Sequence, residues 1–365
     1  MKNLKLIGFL MILASSLMFI QCTSDPIEGL AGANGANGAN GADGTDGVNG
    51  ADGTAECVAC HNVANIDHAK ASYLLSVHAQ ETLHATQNAA KTEDFILTTS
   101  DYTNRTGCVE CHTSGGYIDK MNGVTLKTGA GVAEHDPAYP AGQQAVSCTT
   151  CHNKHSTFDF ANDGFDFALR QALMPVALTA PNANYTIAMG SSNTCVNCHQ
   201  PRGLAPTTAT VKLSSRFGPH HGPQSTMLEG IQGALYVGST VYPAPQSAGH
   251  RTGASCTSCH MGETTDGTDG AHSWHVTENT CLECHTSGAP TEVSGYAADM
   301  ATLEGLLVAK GAFSSTADAF TSNTVDLKVA QAAWNFAMLR EDRSNGIHNP
   351  NYAKALLKNS IQAAQ

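Results

Sequence analysis

One five-residue frame, repeated six times, constrains this chain more than any other feature. Its members are Cys57, Cys60 and His61; Cys108, Cys111 and His112; Cys148, Cys151 and His152; Cys195, Cys198 and His199; Cys256, Cys259 and His260; and Cys281, Cys284 and His285. Each reads C-x-x-C-H, and together they take up twelve of the thirteen cysteines. Chance at this composition gives on the order of 0.02 such frames, so six is not accidental. Two thiols at this spacing sit on one helical turn, where they can add to the two vinyl groups of one haem. The adjacent imidazole then faces the iron as its proximal ligand. Zinc ribbons also use C-x-x-C pairs, but need no His after every second pair. A disulfide framework has no use for a fixed His. The frames therefore predict six covalent haem c groups, with His61, His112, His152, His199, His260 and His285 on the irons.

Six proximal histidines leave eleven of the 17: His68, His78, His84, His135, His155, His220, His221, His250, His272, His275 and His348. Six of these would close every iron from its other side. Local context favours His78, His155, His221, His250, His272 and His348 as distal ligands. His78 ends an apolar stretch, with His84 as its competitor. His155 is too close to its own frame to reach behind that haem, which assigns it to a neighbour. His220 and His221 share the rigid Gly218-Pro219-His220-His221-Gly222-Pro223 turn, and His221 is preferred. Val325 to Arg343 reads as an amphipathic helix with a stop at Gly346. Asn349 and Pro350 read as the N-cap and first residue of the next helix. His348 is thereby pinned at a corner.

The ends of the chain carry other signals. Met1 to Gln21 has a basic start (Lys2, Lys5) and an apolar run, as secretory signals do. It ends at Cys22, and Leu17 to Cys22 resembles a bacterial lipobox, departing from it at Gln21. Cys22, the one cysteine outside the frames, is the expected lipidation site; an uncleaved signal anchor is the alternative. Glycine then recurs every third residue from Gly29 to Gly53. This G-X-Y period without proline suggests a flexible tether, with a trimer through a collagen-like stalk as the alternative. The expected organisation is a signal peptide at 1–21, a tether at 22–55, a haem-binding region at 56–295 and a helical part at 296–365. The fold class is mainly α with long loops, packed around the macrocycles. The loop from Gly262 to Gly270 lacks full EF-hand spacing and reads as solvated.

Several residues resemble the large multihaem cytochrome c group that includes cytochrome c nitrite reductase and its octahaem relatives. They are Gly218 to Gln224, Cys259-His260-Met261, Gly270-Ala271-His272, Gly346-Ile347-His348-Asn349-Pro350 and Tyr352 to Leu357. In that group the His of H-N-P is a distal haem ligand, which the resemblance carries to His348. The nitrite reductases commonly carry a catalytic haem on a C-x-x-C-K frame, and this chain has none. The expected function is thus electron transfer in a respiratory or extracellular chain. A reductase or oxidase of nitrite, hydroxylamine or tetrathionate is the alternative. Expected partners are redox proteins, either a quinol-oxidising membrane complex or a terminal reductase, with membrane contact through the lipid anchor. The net charge of −12 argues against nucleic acid, whose phosphates need clustered Lys and Arg. An exported lipoprotein, periplasmic or on the cell surface, is the expected location.

Two measurements test these readings. The intact mass of the matured protein should exceed the polypeptide by six haems, and Cys198→Ala should lower the count by one or abolish maturation. Cys22→Ser should release the protein to a soluble fraction or leave its signal uncut, as fractionation and mass would show.

Overall fold

The computed structural model describes residues 55–79, 107–124, 146–155, 159, 167–171, 174–180 and 184–365. The expected signal segment, Cys22, the glycine repeat, His84 and His135 lie outside the described residues. Among the described residues helices predominate and strands are few and short.

All but the second of the first helices are brief, and each overlaps a frame or starts two residues after one. They are α1 (Ala55–Cys60), α2 (Val63–Leu75), α3 (Val109–His112), α4 (Ser114–Met121), α5 (Cys148–Cys151) and α6 (Asn193–Val196). Next come α7 (Gln224–Glu229), α8 (Gly249–Gly253), α9 (Cys256–His260) and α10 (Glu278–Leu282). The long helices lie at the C-terminal end: α11 (Tyr296–Ala309), α12 (Leu327–Asp342) and α13 (Pro350–Ala364). Three two-stranded antiparallel ribbons complete the secondary structure. They pair β1 (Val176–Ala177) with β2 (Thr186–Ile187), β3 (Thr210–Lys212) with β6 (Thr324–Asp326), and β4 (Phe313–Ser314) with β5 (Ala319–Phe320).

The main apolar core lies between α11, α12 and α13. Leu303 and Leu307 of α11 meet Ala332, Ala333, Phe336 and Leu339 of α12 and Tyr352, Leu356 and Leu357 of α13, all buried. Alanines on the facing surfaces allow the helices to approach closely. A smaller cluster joins Val176, Leu178, Ile187 and Met189 to Val196 and Leu228. Val196 lies inside the fourth frame, so this cluster fastens that frame to the β1–β2 ribbon.

Helix boundaries differ from the sequence reading at two points. Val325 does not open α12; it pairs with Val211 in the β3–β6 ribbon. Asp326 is the N-cap instead, its carboxylate accepting from the Val329 amide at 3.0 Å. At the far end, α12 stops at Asp342, one residue before the expected Arg343, which turns into the left-handed region at φ 56°. Asn349 caps α13 through the Tyr352 amide, with Pro350 in the first turn.

Asn335 of α12 ties this core to the chain before it. It is fully buried, accepts from the Ala234 amide at 2.7 Å, and donates to the Ala234 carbonyl and Ser360 Oγ at 2.9 Å each. Asn335→Leu would orphan the Ala234 backbone groups, at about 1–3 kcal/mol for each buried group left unpaired. A lowered thermal midpoint with the spectrum of the folded protein unchanged is the expected result.

Candidate metal centres

Each frame closes a single helical turn. The amide of the frame histidine donates to the carbonyl of the first cysteine at His61, His112, His152, His199 and His285, over 2.8–3.0 Å. The fifth frame lies wholly within α9. This i to i+4 bond brings both thiols and the imidazole to one side of the turn. Among the described residues, the frame cysteines from Cys60 to Cys284 form no disulfide.

Opposite each frame histidine stands a second histidine. The ring centroids are 6.0 Å apart for His61 and His155, 6.1 Å for His112 and His220, and 6.2 Å for His152 and His272. They are 6.2 Å apart for His199 and His78, 6.2 Å for His260 and His348, and 6.1 Å for His285 and His250. Two metal–nitrogen bonds of about 2.0 Å end to end, plus about 1.1 Å from each nitrogen to its ring centre, give about 6.2 Å. The residues therefore fit one iron between each pair. Among the described residues no group of three or more His, Cys, Asp and Glu side chains converges on one point. A pair supplies two opposed nitrogens, short of the four ligands of structural zinc and suited to an ion whose four equatorial donors come from a porphyrin.

Burial favours the neutral form in six of the twelve rings, the form a metal ligand must have. Burial pulls His78 down to about 4, helped by the nearby His199. His112 falls to about 4 through burial and then the charge of Arg202, and His220 to about 4 through burial and its neighbour His221. His199, His260 and His272 are lowered chiefly by burial. His220 Nε2 is moreover buried with no hydrogen-bond partner, an orphan that an iron would satisfy.

His220, not His221, therefore faces the second frame. The backbone at His220 is left-handed, at φ 69°, which turns its ring towards His112. His221 points away, its Nδ1 2.9 Å from Glu341 Oε2 at the end of α12. The turn is also packed hard on the fourth frame. A Cβ on Gly222 would come within 2.9 Å of the Cys198 and Gln200 carbonyl oxygens. Alternation of hydrophobicity says nothing about such a choice between neighbouring residues; the acid at 341, distant in sequence, decides it. His68 and His275 stand outside the pairs and meet Glu263 and Asp269 at 2.8 and 2.9 Å.

Second partners fix the outward nitrogens of five paired rings. His152 Nδ1 reaches the Phe167 carbonyl at 2.8 Å, and His250 Nδ1 the Ile347 carbonyl at 2.6 Å. His260 Nδ1 meets the Trp274 carbonyl at 3.0 Å, and His199 Nδ1 meets Gln224 Oε1 at 3.1 Å. His348 Nδ1 meets Asp342 Oδ1 at 2.7 Å. Such bonds set the tautomer, leaving Nε2 for the metal. Burial alone would lower His348, but the charge and hydrogen bond of Asp342, with Cys256 nearby, outweigh it and leave the ring raised. His250 is further held through its neighbour Arg251, which pairs with the fully buried Glu229 at 2.8 Å.

The six sites, numbered I to VI by frame, touch one another. His155 of site I lies three residues from His152, the frame histidine of site III. Cys151 of site III lies within electrostatic reach of Cys195 of site IV. The Cys111 thiol of site II lies beside that of Cys198 of site IV, and the Cys195 thiol of site IV beside that of Cys256 of site V. The bond from His250 to the Ile347 carbonyl joins site VI to the residue before His348 of site V. Trp274 stands at a junction. Its ring lies 4.8 Å from that of His78 and 5.8 Å from that of His272, while its carbonyl holds His260. The left-handed turn that places Trp274 needs Gly270, where a Cβ would sit 2.0 Å from the Gly262 oxygen.

A comparison with known families agrees with this chemistry. Residues 43–212, which hold frames I to IV, match the family described as outer membrane cytochrome MtrC/MtrF-like, domains II/IV. The stretches that resemble the nitrite reductase group lie outside this match, at 218–224, 259–261, 270–272 and 346–357. A search of curated proteins finds no match. Among solved structures, the outer cell wall cytochrome OcwA is similar over 80% of this chain and 50% of its own, at 21% identity and a TM-score of 0.45. The undecaheme cytochrome from the S-layer of Carboxydothermus ferrireducens is similar over 70% of this chain and 37% of its own, at 19% identity and a TM-score of 0.40. The chain thus spans half or less of the length of either structure. Over residues 43–212 it is similar to the multihaem cytochromes of the outer cell surface.

Proposed function

We propose that this chain is a hexahaem c-type cytochrome that carries electrons in a respiratory or extracellular chain. The observation that carries the reading is that each C-x-x-C-H histidine faces a second histidine across a gap that fits one iron. With both axial positions of every iron taken, small substrates have no open site to bind. This favours transfer over reduction of nitrite, hydroxylamine or tetrathionate. The bound haems supply the one-electron chemistry; the chain positions them, tunes their irons and excludes solvent.

In this reading Cys57, Cys60, Cys108, Cys111, Cys148, Cys151, Cys195, Cys198, Cys256, Cys259, Cys281 and Cys284 hold the macrocycles. The distal ligands are His78, His155, His220, His250, His272 and His348. The contacts between sites support the order I–III–IV–V–VI, with site II joined to the side of site IV. The burial of the frames supports sites I and VI as the places of entry and exit. Val109 and Val196, inside frames II and IV, are 0% exposed, whereas Val58 of frame I is 49% exposed and Leu282 of frame VI 38%. Electrons would pass between other redox proteins, a quinol-oxidising membrane complex or a terminal reductase, at these two ends. The N-terminal signal, Cys22 and the glycine tract fit export and a lipid anchor, with site I nearest the tether in sequence. Among the described residues no helix is long and apolar enough to cross a membrane.

Low-temperature electron paramagnetic resonance of the matured protein tests the reading. Six low-spin ferric haems and no high-spin signal are expected. His220→Ala should then create one high-spin, cyanide-binding iron, and His221→Ala should not. A high-spin iron in the parent protein, together with turnover of nitrite or hydroxylamine at ~1 per second or more, would overturn it.

A further inference from the structure

Site V differs from its neighbours in the charge set against its iron. Of the five paired imidazoles whose outward nitrogen has a partner described above, four meet neutral oxygens: three backbone carbonyls and the amide of Gln224. Only His348 meets a carboxylate. Asp342 is no surface acid. Its side chain is 1% exposed, whereas the carboxylates that meet the unpaired His68 and His275 are 43% and 41% exposed. The contact is built by the corner itself. Asp342 is the last residue of α12, and three left-handed residues, Arg343, Asn345 and Gly346, turn the chain back so that His348 meets it. At Gly346 a Cβ would press on Val293 Cγ2 at 2.9 Å, so the turn admits little else. The second carboxylate oxygen accepts from Ser344 Oγ, which fixes the acid in place.

Resting on the six-site reading, we propose that Asp342 is a positioning residue that makes the iron between His260 and His348 harder to reduce than its neighbours at sites IV and VI. The physics is that of charge in a medium of low dielectric. Ferric iron carries one more positive charge than ferrous iron. A buried anion hydrogen-bonded to the outward nitrogen pushes electron density through the imidazole and favours the ferric state. The step concerned is the gain of one electron by Fe(III) from a neighbouring ferrous haem, with no bond made or broken. Since site V lies between sites IV and VI, the electron crosses an uphill step there. Asp342 would thereby set the rate between the buried branch point and the exposed end at frame VI.

The test is spectroelectrochemical titration of the full-length, haem-loaded protein. Asp342→Asn keeps the size and the acceptor but removes the charge. One of the six one-electron steps should rise, by about tenfold in that iron's reduction equilibrium, or about 59 mV. The g-values of one low-spin haem should shift, and the other five steps should stay in place. Ser344→Ala should move the same step the opposite way, since the carboxylate then concentrates its charge on His348. A merely structural role would not give opposite signs. Should Asp342→Asn fail to mature, Ser344→Ala alone decides through the direction of its shift. Six unmoved steps or a uniform shift of all six overturns the proposal. Fewer than six haems or a high-spin iron in the parent protein overturns the six-site reading first, and is visible before any titration.

Discussion

The gap between opposed imidazoles is the constraint that the rest of this structure serves. Six pairs of rings are held with their centroids 6.0–6.2 Å apart. Holding them apart requires both backbones to be fixed independently. One side is fixed by the single helical turn of the frame. The other is fixed by whatever local device lies there: the three-residue turn at Ala271–Ser273, the left-handed residue His220, or the corner before α13.

The scaffold that supplies those devices is the Ala- and Leu-rich bundle of α11 to α13. It contains no frame, yet its helix ends reach several sites. Glu341, at the end of α12, holds His221 through its carboxylate and accepts from Gln224 Nε2 through its carbonyl at 2.8 Å; Gln224 in turn meets His199. Asp342, one residue on, holds His348. Buried amides of α12 and α13 clamp the loop between α7 and α8. Asn335 does so at Ala234, and Asn359 at Thr240, accepting from its amide at 3.0 Å and donating to its carbonyl at 2.8 Å. Hydrogen bonds thus do for the loops what apolar burial does for the helices. With aromatic residues at 6% of the chain, wide apolar faces inside the haem region would have to come from the macrocycles themselves.

How much of this was legible in the sequence depends on whether a signal is local. The frames are local, so their turns and their residues could be read directly. The Asn349-Pro350 cap could be read for the same reason. His78, His155, His250, His272 and His348, all singled out from local context, each stand opposite a frame histidine. The selection of His221 over His220 was not readable, because the deciding acid is Glu341, which only folding brings near. Val325 joined β6 rather than α12 because its partner strand lies more than a hundred residues earlier. Asp342 was overlooked as a partner for His348 because nothing in the string DRSNGIH shows that the chain doubles back. Trp274 went unnoticed for a like reason: its neighbours His78 and His260 come from different parts of the chain.

The interleaving of the pairs has a consequence for how such a molecule is made. A chain is synthesised from its N-terminus, and its parts become available in that order. His78 and His250 precede the frames they face, so sites IV and VI could close as soon as their frames appear. Sites I, II, III and V must wait for His155, His220, His272 and His348. The wait ends only with the last turn of chain before α13, so four irons would pass through a state with one axial position open. If six haems are held as proposed, a chain halted before His348 would thus expose a reactive centre that the folded molecule conceals, which would place the corner at His348 among the safeguards of maturation as well as of the mature fold.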